Sequence, residues 1–265
     1  MAPRARRSLP PKKWAMLAYI AGDNDLSDNG LEDIQEMCVE GASRVAHVGV
    51  QIDTRGEHEG AIRYEISEPD PTGSAHRVVI QRLGEPDSGN PGVLFAFLKW
   101  GFTRYPARNR LAVVWNHGAG FRTARRDIAY DDYGSSLDMV ELQRALRRAG
   151  LGGRNKLSLL GFDACLMNML EIAYQLRNET ELIVGSQQTE PGDGWPYDKV
   201  LHAMNRGPTP ELDFAYPLIE RMSRPAAAPA AISSGSGTFN RHTTPRVTRA
   251  MSSVGMSVIA RRART

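Results

Sequence analysis

Apolar positions along the chain fall into short continuous runs that alternate with stretches of helical spacing. Trp14 to Ala21 is one such run and predicts a first strand; Val45 to Asp53, with Val48, Val50 and Ile52 alternating, predicts a second. Between them Leu31, Ile34, Met37 and Cys38 recur at helical spacing. Ala61 to Ser67 and His76 to Gln81 flank the turn-rich Glu68–Gly73 and predict an antiparallel hairpin. Asn90-Pro91 supplies a cap and a first-turn proline for a helix over Val93–Phe102, which Tyr105-Pro106 ends. Strands are expected at Leu111–Trp115, Leu157–Phe162 and Leu182–Ser186, and helices at Leu137–Ala149, Leu166–Arg177 and Asp198–Met204. Runs bounded by glycine and joined by helical crossovers indicate an α/β domain with a mostly parallel central sheet flanked by helices.

That domain is expected to span 14–223. Residues 1–13 form a basic, Pro-rich extension, and 224–265 form a low-complexity tail rich in Ala, Pro, Ser and Arg, expected to be disordered. The formal charge of +3 hides an asymmetry, since basic residues crowd both ends (Arg4–Lys13, Arg241–Arg264) and leave the body acidic. An acidic body argues against a nucleic-acid groove. No run approaches the roughly 18 apolar residues of a membrane span. The N-terminus lacks the apolar core of a signal peptide, so the default expectation is a cytoplasmic monomer, with secretion if the true start lies upstream. Cys38 and Cys165 are the only cysteines, too few for a disulfide framework or a Cys-rich zinc site.

Two of the predicted strands stop at reactive side chains. Leu111–Trp115 runs into Asn116-His117-Gly118, and Leu157–Phe162 into Asp163-Ala164-Cys165. Chemistry in open α/β sheets gathers at the carboxyl ends of strands, so both groups are expected at one edge, as a thiol nucleophile and its base require. A helix starting at once after Cys165 would favour its thiolate. The His-to-Cys separation of 48 residues is near the spacing of about 50 seen in caspases. Asp25, Ser27, Asn29, Gly30 and Glu36 stand in partial register with a calcium loop, although Glu32 occupies its usual apolar position and a strand precedes it.

Asn116-His-Gly-Ala-Gly120 and Asp163-Ala-Cys-Leu-Met167 resemble the two catalytic motifs of the clostripain family of cysteine peptidases, relatives of caspases, gingipains and legumains. Tyr19-Ile-Ala-Gly-Asp-Asn-Asp-Leu26, Gly89-Asn-Pro-Gly92 and Glu190-Pro-Gly-Asp-Gly-Trp-Pro-Tyr197 agree in order and spacing, so the likeness runs from about Trp14 to Met222. The resemblance implies a caspase-haemoglobinase-like three-layer sandwich. It also implies a Cys165 nucleophile, His117 supporting proton transfer, and an oxyanion hole from the N–H groups of Gly118 and Cys165. It implies substrates with Arg or Lys before the scissile bond. Asp163, with Asp193 as its companion and Glu190 as a weaker alternative, is the expected carboxylate set for that cation. Some relatives cut themselves after a basic residue in the loop following the histidine, which makes Arg122, Arg125 and Arg126 candidates. No cofactor is expected to be required, calcium is admitted because some relatives depend on it, and neither membrane nor nucleic acid is an expected partner. The competing readings are a catalytically silent binding module of the same fold and a calcium-binding regulator. Family chains continue with further strands where this one enters its Ala/Pro/Ser/Arg-rich stretch.

Overall fold

Strand β1, Lys12–Gly22, is buried along nearly its whole length and sits inside the sheet. In the computed structural model, which describes residues 9–55, 60–120, 127–132, 134–190, 192–206 and the backbone of 256–260, β1 pairs in parallel with β2, Ala46–Thr54, on one side and β5, Ala107–Trp115, on the other. Beyond β5 lie β8, Leu157–Asp163, and β9, Thr180–Ser186, both parallel. Beyond β2 the expected hairpin, β3 (Ala61–Ile66) and β4 (Arg77–Gly84), closes that edge antiparallel. With β10 (Met256–Ala260) at the far edge, the order is β10-β9-β8-β5-β1-β2-β3-β4, with β6 (Asp127–Ile128) and β7 (Leu137–Asp138) paired apart from it.

The strand period of two divides the core into two layers. Trp14, Met16, Ala18 and Ile20 of β1 pack beside Ile34 and Met37 of α1 (Ser27–Glu40) and Val200, Leu201 and Met204 of α5 (Tyr197–Asn205). Ala15, Leu17 and Tyr19 face the other way, toward Leu94 and Phe97 of α2 (Pro91–Arg104), Leu142 of α3 (Met139–Arg148) and Ile172 of α4 (Leu170–Leu176). The sequence expectation of a mostly parallel sheet between helical layers is met. Asn90 caps α2 as expected, accepting from Gly92 N–H at 2.8 Å.

Three expectations change. The helix expected from Leu137 starts at Met139, because Asp138 and Glu141 form a reciprocal capping box there. The helix expected from Leu166 starts at Leu170, so Cys165 does not sit on a helix N-terminus. Leu166 instead takes φ +62°, a left-handed conformation costly for a residue with a Cβ. Inside the stretch assigned to the tail, β10 (Met256–Ala260) pairs antiparallel with β9, Val258 opposite Val184. Among the described residues no helix is long and apolar enough to cross a membrane.

Candidate active site

The register of the two central strands sets the site. Trp115 of β5 pairs with Asp163 of β8, so His117 and Cys165, each two residues further on, leave adjacent strand ends side by side. The backbones there nearly touch. A Cβ on Gly118 would stand 2.1 Å from the Cys165 carbonyl oxygen, a distance no side chain permits. Cys165 is half-buried, and its Sγ accepts a hydrogen bond from Glu190 N–H at 3.2 Å. Leu166 N–H donates to Gln188 O at 3.0 Å, which ties the turn after the thiol to the loop following β9. Gly118 forms a bridge with Ile128 through Ala119 N–H donating to Asp127 O. Neither Gly118 N–H nor Cys165 N–H has a hydrogen-bond partner among the described residues.

On the β1 side of the thiol, His117 meets a carboxylate that the sequence does not announce. Asp25 Oδ1 lies 2.8 Å from His117 Nε2. The hydrogen bond to His117 holds the Asp25 carboxyl below its usual range. Two asparagines fix this pair. Asn24 donates to Ala21 O at 2.9 Å and Tyr130 O at 3.0 Å. Asn116 donates to the same two carbonyls and accepts from Tyr130 N–H. The residue before Asp25 and the residue before His117 are therefore anchored on one frame.

On the other side lies a buried acidic pocket. Asp163 is 4% exposed and accepts from Tyr197 Oη at 2.9 Å and Trp195 N–H at 3.2 Å. Its neighbours are carboxylates. A Cβ on Gly194 would meet Asp163 Oδ2 at 3.2 Å and Asp33 Oδ2 at 3.5 Å, so both acids converge on that glycine. Asp33 comes from the buried face of α1, between Gly30 and Met37. Glu190 stands beside Asp163 with both carboxylate oxygens sealed from solvent; it forms no well-aligned hydrogen bond there. Asp33 Oδ2 likewise lacks a partner among the described residues. Desolvation, reinforced by neighbouring carboxylates, raises the carboxyl pKa of Asp33, Asp163 and Glu190.

The structure thus brings His117, Gly118, Cys165 and Asp163 together. It leaves Asp193 exposed on its loop, with Glu190 rather than Asp193 buried against Asp163. Arg122, Arg125 and Arg126 lie outside the described residues. The calcium-loop register is taken up by α1 and its approach, whose side chains serve other partners. Asp25 meets His117, Asn29 donates to Gly192 O, and Glu36 accepts from Tyr197 N–H. Among the described residues no group of three or more His, Cys, Asp or Glu side chains is arranged to hold a metal ion. Asp33 had one readable signal, a carboxylate in the stripe of Gly30, Ile34 and Met37.

Comparison with known proteins places the chain in a family. The sequence profile of the clostripain family matches residues 18–226. Clostripain from Hathewaya histolytica is 31% identical over 137 residues, 46% of this chain and 26% of that protein. A secreted C11 cysteine protease from Bacteroides thetaiotaomicron, solved with an irreversible peptide inhibitor, aligns with TM-score 0.67 at 26% identity, over 79% of this chain and 58% of that one. An inactive zymogen C11 protease from Parabacteroides distasonis shares the fold, with TM-score 0.65 at 20% identity over 81% of this chain and 59% of that one. The chain spans about a quarter of the curated relative and less than two thirds of these solved chains.

Proposed function

The chain belongs to the clostripain family, and from that premise we propose that it is a cysteine endopeptidase cutting peptide bonds after Arg or Lys. The observation that carries this reading is the pairing of Trp115 with Asp163, which delivers His117 and Cys165 to neighbouring strand ends. His117 takes the thiol proton as Cys165 Sγ attacks the scissile carbonyl carbon. The oxyanion that forms is received by the N–H groups of Gly118 and Cys165, both without another partner among the described residues. As the C–N bond breaks, His117 gives a proton to the leaving amine. Water then attacks the thioester, and the acid leaves with the thiol restored. No step in this sequence calls for a cofactor.

The preference for a basic residue rests on the acid pocket. Asp163, Asp33 and Glu190 place more buried carboxyl oxygens beside Cys165 than the described donors satisfy, and an entering cation would draw them to their ionised forms. A guanidinium or ammonium brings both the charge and the donors that this set lacks. Glu190 replaces Asp193 as the companion of Asp163 in this reading. Self-processing after Arg122, Arg125 or Arg126 follows from the same specificity, and a fully active preparation that stays one intact chain would remove that part.

The test compares Arg-ended and Asp-ended fluorogenic peptides with wild type and Cys165→Ala. Turnover of the Arg-ended peptide alone, abolished in Cys165→Ala, is the expected result. Absence of Cys165-dependent turnover of either peptide defeats the peptidase reading and leaves a catalytically silent binding fold.

A further inference from the structure

We propose that Asp25 is the positioning residue of this site, holding the His117 ring so that Nε2 is occupied and Nδ1 faces the reacting atoms. The proposal rests on the peptidase reading of His117. Three neighbouring strands would then each supply one member, Asp25 after β1, His117 after β5 and Cys165 after β8, which stand side by side in the sheet.

An ion pair this exposed would ordinarily count for little; the side chains are 45% and 70% exposed. What distinguishes it is the support behind it. Asn24 and Asn116 precede the two partners in sequence and bond the same pair of carbonyls, Ala21 O and Tyr130 O. Leu26 N–H also donates to Asn24 Oδ1 at 2.9 Å, which fixes the chain on the far side of Asp25. Both side chains therefore project from backbones locked to each other, and little conformational freedom is lost when they meet. With an ionised carboxylate as acceptor, Nε2 carries the proton of that bond, and Nδ1 is the nitrogen left to exchange a proton with substrate. The same carboxylate stabilises the imidazolium that must protonate the leaving amine. Arg55, itself paired with Asp132 at 3.1 Å, is the other charge acting on Asp25, and its effect is weaker than that of His117.

The experiment uses the full chain with Asp25→Asn, Asp25→Glu and, as a charge control, Asp28→Asn, another exposed acid three positions along. Two readouts are needed. The first is the split between kcat and KM for turnover of the Arg-ended peptide. Asp25→Asn is expected to lower kcat about tenfold with KM nearly unchanged, because the ring loses its fixed orientation while substrate binding is untouched. Asp25→Glu restores much of kcat, and Asp28→Asn matches wild type. The second readout is the nitrogen NMR signature of the His117 tautomer in histidine-labelled protein, assigned with His117→Ala; wild type shows the Nε2–H form, and Asp25→Asn loses that preference. Equal melting temperatures across the set confirm intact folding. An unchanged His117 tautomer signature in Asp25→Asn, or an equal change in Asp28→Asn, overturns the proposal. Absence of turnover in wild type would instead defeat the peptidase reading, while the tautomer signature still decides the role of Asp25.

Discussion

The two flanks of Cys165 treat buried polar groups in opposite ways. Toward β1, donors and acceptors are matched. Asn24 and Asn116 each reach Ala21 O and Tyr130 O, Tyr130 N–H returns a bond to Asn116, and His117 meets Asp25. Toward α1 and the loop after β9, acids outnumber their donors. Asp163 has Tyr197 Oη and Trp195 N–H, while oxygens of Asp33 and Glu190 are buried without partners among the described residues. Burying an unpaired carboxylate costs free energy, and a fold built only for stability would not retain such a set. The matched flank holds geometry. In the proposed reading the unmatched flank receives the substrate cation, whose charge and donors offset that cost.

Neutralising the centre of the unmatched flank should produce the largest effect. Asp163→Asn keeps an oxygen for Tyr197 and Trp195 but removes the charge. It is expected to lower kcat/KM on the Arg-ended peptide at least a hundredfold, about 3 kcal/mol, the scale of breaking a buried charge pair. Thermal stability should hold or rise. A fall in stability with kcat/KM preserved would make Asp163 part of the frame and erase the contrast. The matched flank should respond in the opposite sense. Asn116→Ala removes the bonds to Ala21 O, Tyr130 O and Tyr130 N–H. A loss of about 2 kcal/mol in urea unfolding is expected. An unchanged urea midpoint would show that the frame is carried elsewhere.

Much of this was legible in the sequence, and what was not has a physical reason. The strand ends at His117 and Cys165 are marked by apolar runs and glycine, which are local signals, and Asp163 follows from its two-residue offset from Cys165. Asp25 was not legible as a partner of His117, because their contact depends on β1 and β5 being neighbours across 92 positions of sequence. The stretch from Asp25 to Glu36 stands in partial register with a calcium loop for the same reason: ligand-like spacing is local, whereas what those side chains face is set by the sheet order. The choice between Asp193 and Glu190 also lay beyond local pattern. Both are acids in one loop, and only the docking of Trp195 and Tyr197 into the α1–α5 layer determines which one turns inward.

Asp33 gives the smallest and most specific test, since it separates the cost of the acid pocket from its use. Desolvation is the main cause of its raised pKa, followed by the charge of Asp163. A carboxyl whose pKa is raised by folding binds a proton more tightly in the native state than in the unfolded chain. At pH values below the ordinary carboxyl range it costs nothing. As pH rises above that range, the unfolded chain sheds the proton first and stability falls progressively. Asp33→Asn removes that dependence. The variant should match wild type in urea unfolding at low pH and exceed it by about 1 kcal/mol at mildly alkaline pH. The same substitution leaves one fewer carboxylate to receive the substrate cation, so kcat/KM on the Arg-ended peptide should fall about tenfold. Adding arginine amide should raise the melting temperature of wild type more than that of the variant. If the two proteins show equal urea midpoints at both pH values, Asp33 holds no extra proton. The pocket's unmatched charge would then reside in Asp163 and Glu190 alone.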